Sequence, residues 1–128
     1  MDYNALLKIA YEAMEQAYAP YSGVRVGAAL LTSDGIVYTG SNVENASYGA
    51  SICAERAASA KAVNAGKTSF TAIAIASSLK GYTYPCGICR QVLSEFSEDM
   101  DIIMSNGAET KTIKLNELFP YAFKIHEK

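Results

Sequence analysis

At 128 residues the chain is read as one domain, 1–128, large enough to bury a core without disulfides. Its net charge of -2, from 11 basic and 13 acidic residues, comes with no basic cluster to track a phosphate backbone. Long nucleic acid is therefore an unexpected partner and a small molecule a better one. No apolar run approaches the ~20 residues that span a bilayer, and the acidic N-terminal stretch lacks the features of a secretory leader.

Leu7, Ala10, Tyr11, Met14, Ala17 and Tyr18 recur at helical spacing, which predicts a first helix stopped by Pro20. Val24 to Leu31 is a short apolar run that Thr32-Ser33-Asp34-Gly35 turns into Ile36-Val37-Tyr38, a predicted hairpin. Ser41 to Ser51 has polar residues without a period and reads as a functional loop. Ala54 to Ala65 is alanine-rich and ends at Gly66, a helix with a glycine stop. Phe70 to Ala76 alternates as a strand, and Ile88 to Phe96 follows Pro85 as a helix. Asp101 to Met104 and Thr110 to Lys114 are strands, and Leu115 to Phe119 is a short helix before Pro120. Strands alternating with helices imply an α/β fold of three layers, α/β/α, with a mixed sheet of about five strands covered on both faces.

The three cysteines carry the chemistry. Their odd number opposes a disulfide framework, and a reducing cytoplasm suits reactive thiolates. Cys53 opens Cys53-Ala54-Glu55-Arg56, and Cys86 and Cys89 lie in Pro85-Cys86-Gly87-Ile88-Cys89. A closed structural zinc site takes four protein ligands, but the only histidine is His126, near the C-terminus. Three thiolates and one open position fit catalytic zinc. Both segments fall at predicted helix starts, where free amides and the helix dipole favour thiolate. The alternative is a redox pair or buried apolar thiols, since C-x-x-C alone is a weak signal.

Glu55 is next to the metal without being needed as a ligand, so it can take a proton from water and return it to a leaving group. Three thiolates on one Zn²⁺ leave an electron-rich centre that needs a positive neighbour. Arg56 is the favoured candidate and Arg90 the second. A glutamate two residues after the first ligand, followed by Pro-Cys-x-x-Cys, matches the pattern of zinc nucleobase deaminases, including its three-cysteine variant.

At this point the chain resembles the cytidine deaminase family in its small homotetrameric form. Tyr18-Ala19-Pro20-Tyr21-Ser22 with Val26-Gly27-Ala28-Ala29-Leu30 matches the family's opening, and Asn42-Val43-Glu44-Asn45-Ala46-Ser47-Tyr48 its ribose loop. Cys53-Ala54-Glu55-Arg56 and Pro85-Cys86-Gly87-Ile88-Cys89-Arg90-Gln91-Val92 match its zinc segments. The resemblance implies one Zn²⁺ per subunit on Cys53, Cys86 and Cys89, with Glu55 shuttling protons. It also implies Asn42 and Glu44 on the ribose 3′-hydroxyl and the Ala54 amide at the pyrimidine carbonyl. Tyr48 and Phe123 would approach a neighbouring subunit's site. Two positions depart from the family: Val24 stands where a phenylalanine commonly packs against the base, and Tyr84 where a small hydroxyl residue is common. The implied reaction is hydrolysis of cytidine and 2′-deoxycytidine to the uridines and ammonia, a step of pyrimidine salvage. The alternatives are a deaminase of a modified cytosine nucleoside or cytosine-bearing antibiotic and, from another class, a structural zinc or thiol-redox protein.

Overall fold

Asp2 starts the first helix, α1 (Tyr3–Met14), its Oδ1 accepting from the Asn4 amide at 3.1 Å. This is the hydrogen bond that an N-cap residue supplies to an otherwise unpaired first-turn amide. The computed structural model describes residues 1–125, so His126 lies outside the described residues. The predicted extension of α1 to Tyr18 does not form. The Tyr18 amide instead donates to the Asn42 carbonyl at 2.9 Å, and the Glu44 amide to the Tyr18 carbonyl at 2.8 Å. Tyr18 is thereby drawn into an isolated parallel bridge with Val43, and Arg25 Nη2 donates to the free Glu15 carbonyl at 3.0 Å.

Five strands follow: β1 (Val26–Thr32), β2 (Val37–Ser41), β3 (Phe70–Ser77), β4 (Asp101–Ser105) and β5 (Thr110–Lys114). They form one sheet in the order β2-β1-β3-β4-β5. Only β3 and β4 run parallel, with Ile73 opposite Ile102; β1 is antiparallel to both β2 and β3, and β4 to β5. A parallel pair needs a long crossover, and that crossover contains α3 (Gly87–Glu95). Helix α2 (Ala54–Asn64) joins β2 to β3, and α4 (Leu115–Leu118) follows β5. The predicted strands and later helices fall within about two residues of these bounds, as frayed ends allow.

Strand alternation sorts the core into two halves. Ala29, Leu31, Ala72, Ala74 and Ala76 face α1, meeting Leu6, Leu7 and Ala10. Ala28, Leu30, Ile73, Ile75, Ile102 and Met104 face the other way, against Ala54, Ala58 and Ala62 of α2 and Leu93 of α3. The result is the expected three-layer α/β/α arrangement around a mixed five-stranded sheet. No helix among the described residues is long and apolar enough to cross a membrane.

Two glycines let helices rest directly on the sheet. A Cβ on Gly40 would lie 2.4 Å from the Ala54 carbonyl oxygen and 2.5 Å from the Ala58 nitrogen. On the opposite face, a Cβ on Gly27 would lie 2.1 Å from the Ala10 carbonyl oxygen. All three distances fall well inside van der Waals contact, so larger residues are excluded here.

Candidate active site

Cys53 is the N-cap residue of α2 and Cys86 that of α3, and neither side chain caps its own helix. Their sulfurs are free to face each other. Cys53 Sγ lies 3.8 Å from Cys86 Sγ, and Cys86 Sγ lies 3.4 Å from Cys89 Sγ. All three sulfurs lie within 4.8 Å of one another, the one such metal-binding group among the described residues. Tetrahedral zinc with Zn–S bonds of about 2.3 Å would hold its sulfurs about 3.8 Å apart, so the trio fits that ion with little adjustment. Cys89 is buried, Cys53 half-buried and Cys86 exposed, which leaves one side open to a cleft. This asymmetry suits three ligands and a vacant fourth direction.

The thiols already share charge unequally. The hydrogen bond from Cys89 holds the Cys53 thiol far below its usual range, with Arg56 and Cys86 adding to the effect against burial. Its counterpart Cys89 is pushed up, first by donating that bond and then by burial. Bound metal favours deprotonation of every coordinating thiol. Arg56 Nη2 points at Cys53 Sγ from 3.9 Å and at the Ser51 carbonyl from 3.4 Å. Its Nε is buried without a hydrogen-bond partner, a cost that an adjacent anionic thiolate cluster offsets. Arg90, the second candidate, faces elsewhere: it donates to the Pro85 carbonyl at 2.7 Å and the Leu118 carbonyl at 2.6 Å. It ties the second ligand segment to α4.

Glu55 lies in the first turn of α2, only 4% exposed, and lines the same cleft. Burial pushes its carboxyl up to about 7, with the nearby Cys53 charge adding to the rise. A cation on the thiols would pull the other way. Ala54 is fully buried and also lines the cleft, at a helix start whose first amides lack intrahelical partners.

The cleft has a volume of about 440 Å³, within the range of small-molecule sites. Asn42 and Glu44 line it as well. Asn42 Oδ1 accepts from the Val26 amide at 2.8 Å, and its Nδ2 donates to the Val24 carbonyl at 2.8 Å. Glu44 Oε1 accepts from the amides of Tyr21 at 2.9 Å and Ser22 at 3.1 Å, while Oε2 takes the Ser22 hydroxyl at 2.5 Å. The Ser22 hydroxyl, with the two amides, holds the Glu44 carboxyl below its usual range. Each side chain is fixed, yet each keeps unused hydrogen-bonding capacity for a ligand.

The remaining sequence candidates are placed unevenly. Tyr48 is 80% exposed in a 3₁₀ turn at the cleft. Val24 is outside the lining, where Val26 stands instead, and the Val24 amide donates to Ser22 Oγ at 3.0 Å in a turn. Phe123 is 65% exposed and absent from the lining of its own chain's cleft; its carbonyl accepts from Gln91 Nε2 at 3.2 Å. Sequence reasoning passed over Thr83 and Ile88, which line the cleft. Ile88 was detectable, since it lies between two ligands on a helix face that its neighbours leave exposed.

Known proteins share this arrangement. The family model of the cytidine and deoxycytidylate deaminase zinc-binding region matches residues 1–105. A cytidine deaminase of Halalkalibacterium halodurans is 46% identical over 99% of this chain and 98% of its own. One from Sporosarcina psychrophila is 43% identical over 96% and 92%. Among solved structures, cytidine deaminase from Burkholderia pseudomallei superposes with a TM-score of 0.91 at 44% identity, covering 96% of this chain and 100% of that one. The Mycobacterium tuberculosis enzyme gives 0.83 at 38%, covering 98% and 99%. With three thiols, a buried glutamate and this near full-length likeness in agreement, the chain belongs to the cytidine deaminase family.

Proposed function

We propose that this protein hydrolyses cytidine and 2′-deoxycytidine to the corresponding uridines and ammonia. The observation that carries the reading is a buried Glu55 sharing one cleft with Cys53 and Cys86 of the thiol trio and with the fixed polar pair Asn42 and Glu44. One zinc, which Cys53, Cys86 and Cys89 would hold, would supply the Lewis acidity that makes water a nucleophile near neutral pH. Glu55 takes a proton from the water as the water oxygen bonds to C4 and the C4–N3 double bond opens, and it delivers that proton to N3. Glu55 then takes the proton of the new C4 hydroxyl and passes it to the amino group, so that the bond from C4 to the amino nitrogen breaks, ammonia leaves and the C4 carbonyl remains. The Ala54 amide donates to the pyrimidine carbonyl, and Asn42 and Glu44 hold the 3′-hydroxyl. Arg56 offsets the negative charge of the thiolates.

Ammonia release from cytidine, 2′-deoxycytidine, free cytosine, adenosine and CMP tests this reading. Both cytosine nucleosides should react, whereas cytosine should be a very poor substrate, since it lacks the hydroxyl that Asn42 and Glu44 would meet. CMP should also be poor, since Glu44 adds negative charge near the sugar. Equal specificity constants for cytosine and cytidine would remove the sugar assignment; no turnover of any cytosine compound would remove the reaction.

The active form is read as a homotetramer of one-domain subunits acting in cytoplasmic pyrimidine salvage on free nucleosides. Support for assembly comes from exposed apolar side chains at Tyr121, Phe123 and Ile125 and from an apolar groove lined by Ile52, Val63, Val92 and Phe96. Apolar surface of this kind marks contact with another chain. Phe123 lies outside the lining of its own chain's cleft, and in this reading it reaches a neighbour's base site, where Val24 supplies no ring. Phe123→Ala should raise KM for cytidine several-fold with zinc content unchanged. An unaltered KM would take Phe123 out of the site, and light scattering from a fully active monomer would discard the shared site.

A further inference from the structure

Beside the second ligand segment stands a chain of three side chains that the reaction does not use. Tyr84 lines the cleft together with Thr83, Cys86 and Ile88, and is 40% exposed. Its hydroxyl accepts a hydrogen bond from Lys111 Nζ at 2.9 Å. Lys111 belongs to the edge strand β5, opposite Met104, and its Nζ sits 5.3 Å from the centroid of the Tyr82 ring. Tyr82 in turn packs against the core beneath α2 and α3. The ammonium is thus held over one aromatic ring within cation–π range and directed at the hydroxyl of the next. The 5.4 Å from Nζ to the Tyr84 centroid is the length that this end-on bond imposes and is not a stacking contact.

We infer that Tyr84, pinned by Lys111, limits the size of the group that cytosine can carry at C5. The inference rests on the deaminase reading, and the geometry of the base supplies the rest. N3 and C5 flank C4 on opposite edges. With Glu55 on the α2 side taking N3, C5 faces the segment that carries Thr83, Tyr84 and Ile88. A free tyrosine at a cleft rim rotates aside at small cost, but one whose hydroxyl is held from β5 presents a fixed wall. Tyr84 therefore acts on specificity and Lys111 acts through it as a positioning residue.

The test measures kcat/KM for cytidine, 5-methylcytidine and 5-ethylcytidine with wild type, Tyr84→Ala and Lys111→Met. Zinc content and circular dichroism are recorded for each. Wild type should discriminate increasingly from methyl to ethyl. Tyr84→Ala should raise the 5-ethylcytidine-to-cytidine ratio by about 10–200-fold, the range over which a pocket senses one methylene. Lys111→Met should raise it by a smaller factor, since the ring remains but is free to swing. Dissociation constants of 5-ethyluridine and uridine, measured by calorimetry, should shift in the same direction, which a general loss of activity would not produce. An unchanged ratio in a folded, zinc-loaded Tyr84→Ala protein overturns the inference while cytidine turnover preserves the reaction. If that variant does not fold, the ratio in Lys111→Met decides. Absence of cytidine turnover in wild type would instead sink the deaminase reading, and this inference with it.

Discussion

Glu55→Gln should keep the fold and the zinc and lose about 10²–10⁴-fold or more in kcat. Glutamine matches glutamate in shape, so the packing around a side chain only 4% exposed survives. What disappears is the ability to exchange a proton. General acid–base groups are worth about 10²–10⁴ for a single transfer, and in the proposed reaction one carboxyl serves both N3 and the leaving amine. Loss of cytidine absorbance gives the rate, while metal analysis and circular dichroism confirm the intact site. Turnover near the wild-type rate would mean that another group moves the protons.

Cys86→Ala should abolish metal binding and activity together. Of the three thiols, Cys86 offers the cleanest test. It is exposed, whereas Cys89 is buried, so its removal opens no cavity. It also makes no side-chain capping bond at the start of α3, so the helix loses nothing by the change. Two thiolates remain, and no other metal-binding side chain joins the trio among the described residues. Zinc per chain should fall from one to near zero after dialysis, with deamination at background. Because a metal that binds only the folded chain adds its binding free energy to folding, the thermal midpoint should drop as well. Full zinc occupancy with undiminished turnover would refute the site.

How far these residues could be read from the sequence depended on the range of the interaction involved. Both ligand segments were legible, because a helix start is a local event and thiolates favour it on local grounds. Glu55 followed by position alone. The end of α1 was not legible. The apolar spacing continues to Tyr18, but the Tyr18 amide pairs with the Asn42 carbonyl across 24 residues, and no periodicity reports that. Val24 is a similar case: its apolar character extends the strand pattern, yet the Asn42 side chain occupies the backbone groups around it. The segment from Ser41 to Ser51 read as a functional loop, and the bridges of Val43 to both Tyr18 and Ile52 leave no mark in its pattern. Asn42 and Glu44 emerged only through family likeness, since a solvated loop amide and one that grips a strand look alike in sequence. Arg56 was already favoured over Arg90 in the sequence, and in space Arg56 points at Cys53 Sγ while Arg90 donates to the Pro85 and Leu118 carbonyls.

Gly40 bears on the tolerance to which the site is built. Where side chains separate a helix from a sheet, the helix can slide by fractions of an ångström as rotamers readjust. At Gly40 the first two turns of α2 meet strand backbone through their own backbone and the Ala57 methyl, none of which has rotamers to exchange. On the other face Gly27 brings α1 against the neighbouring strand in the same manner, so the sheet cannot bow away. The height of Cys53 and Glu55 above the sheet is therefore referenced to peptide units, the least compliant parts of the chain. A carboxyl proposed to reach both a water and a ring nitrogen has its position set by a glycine that touches neither.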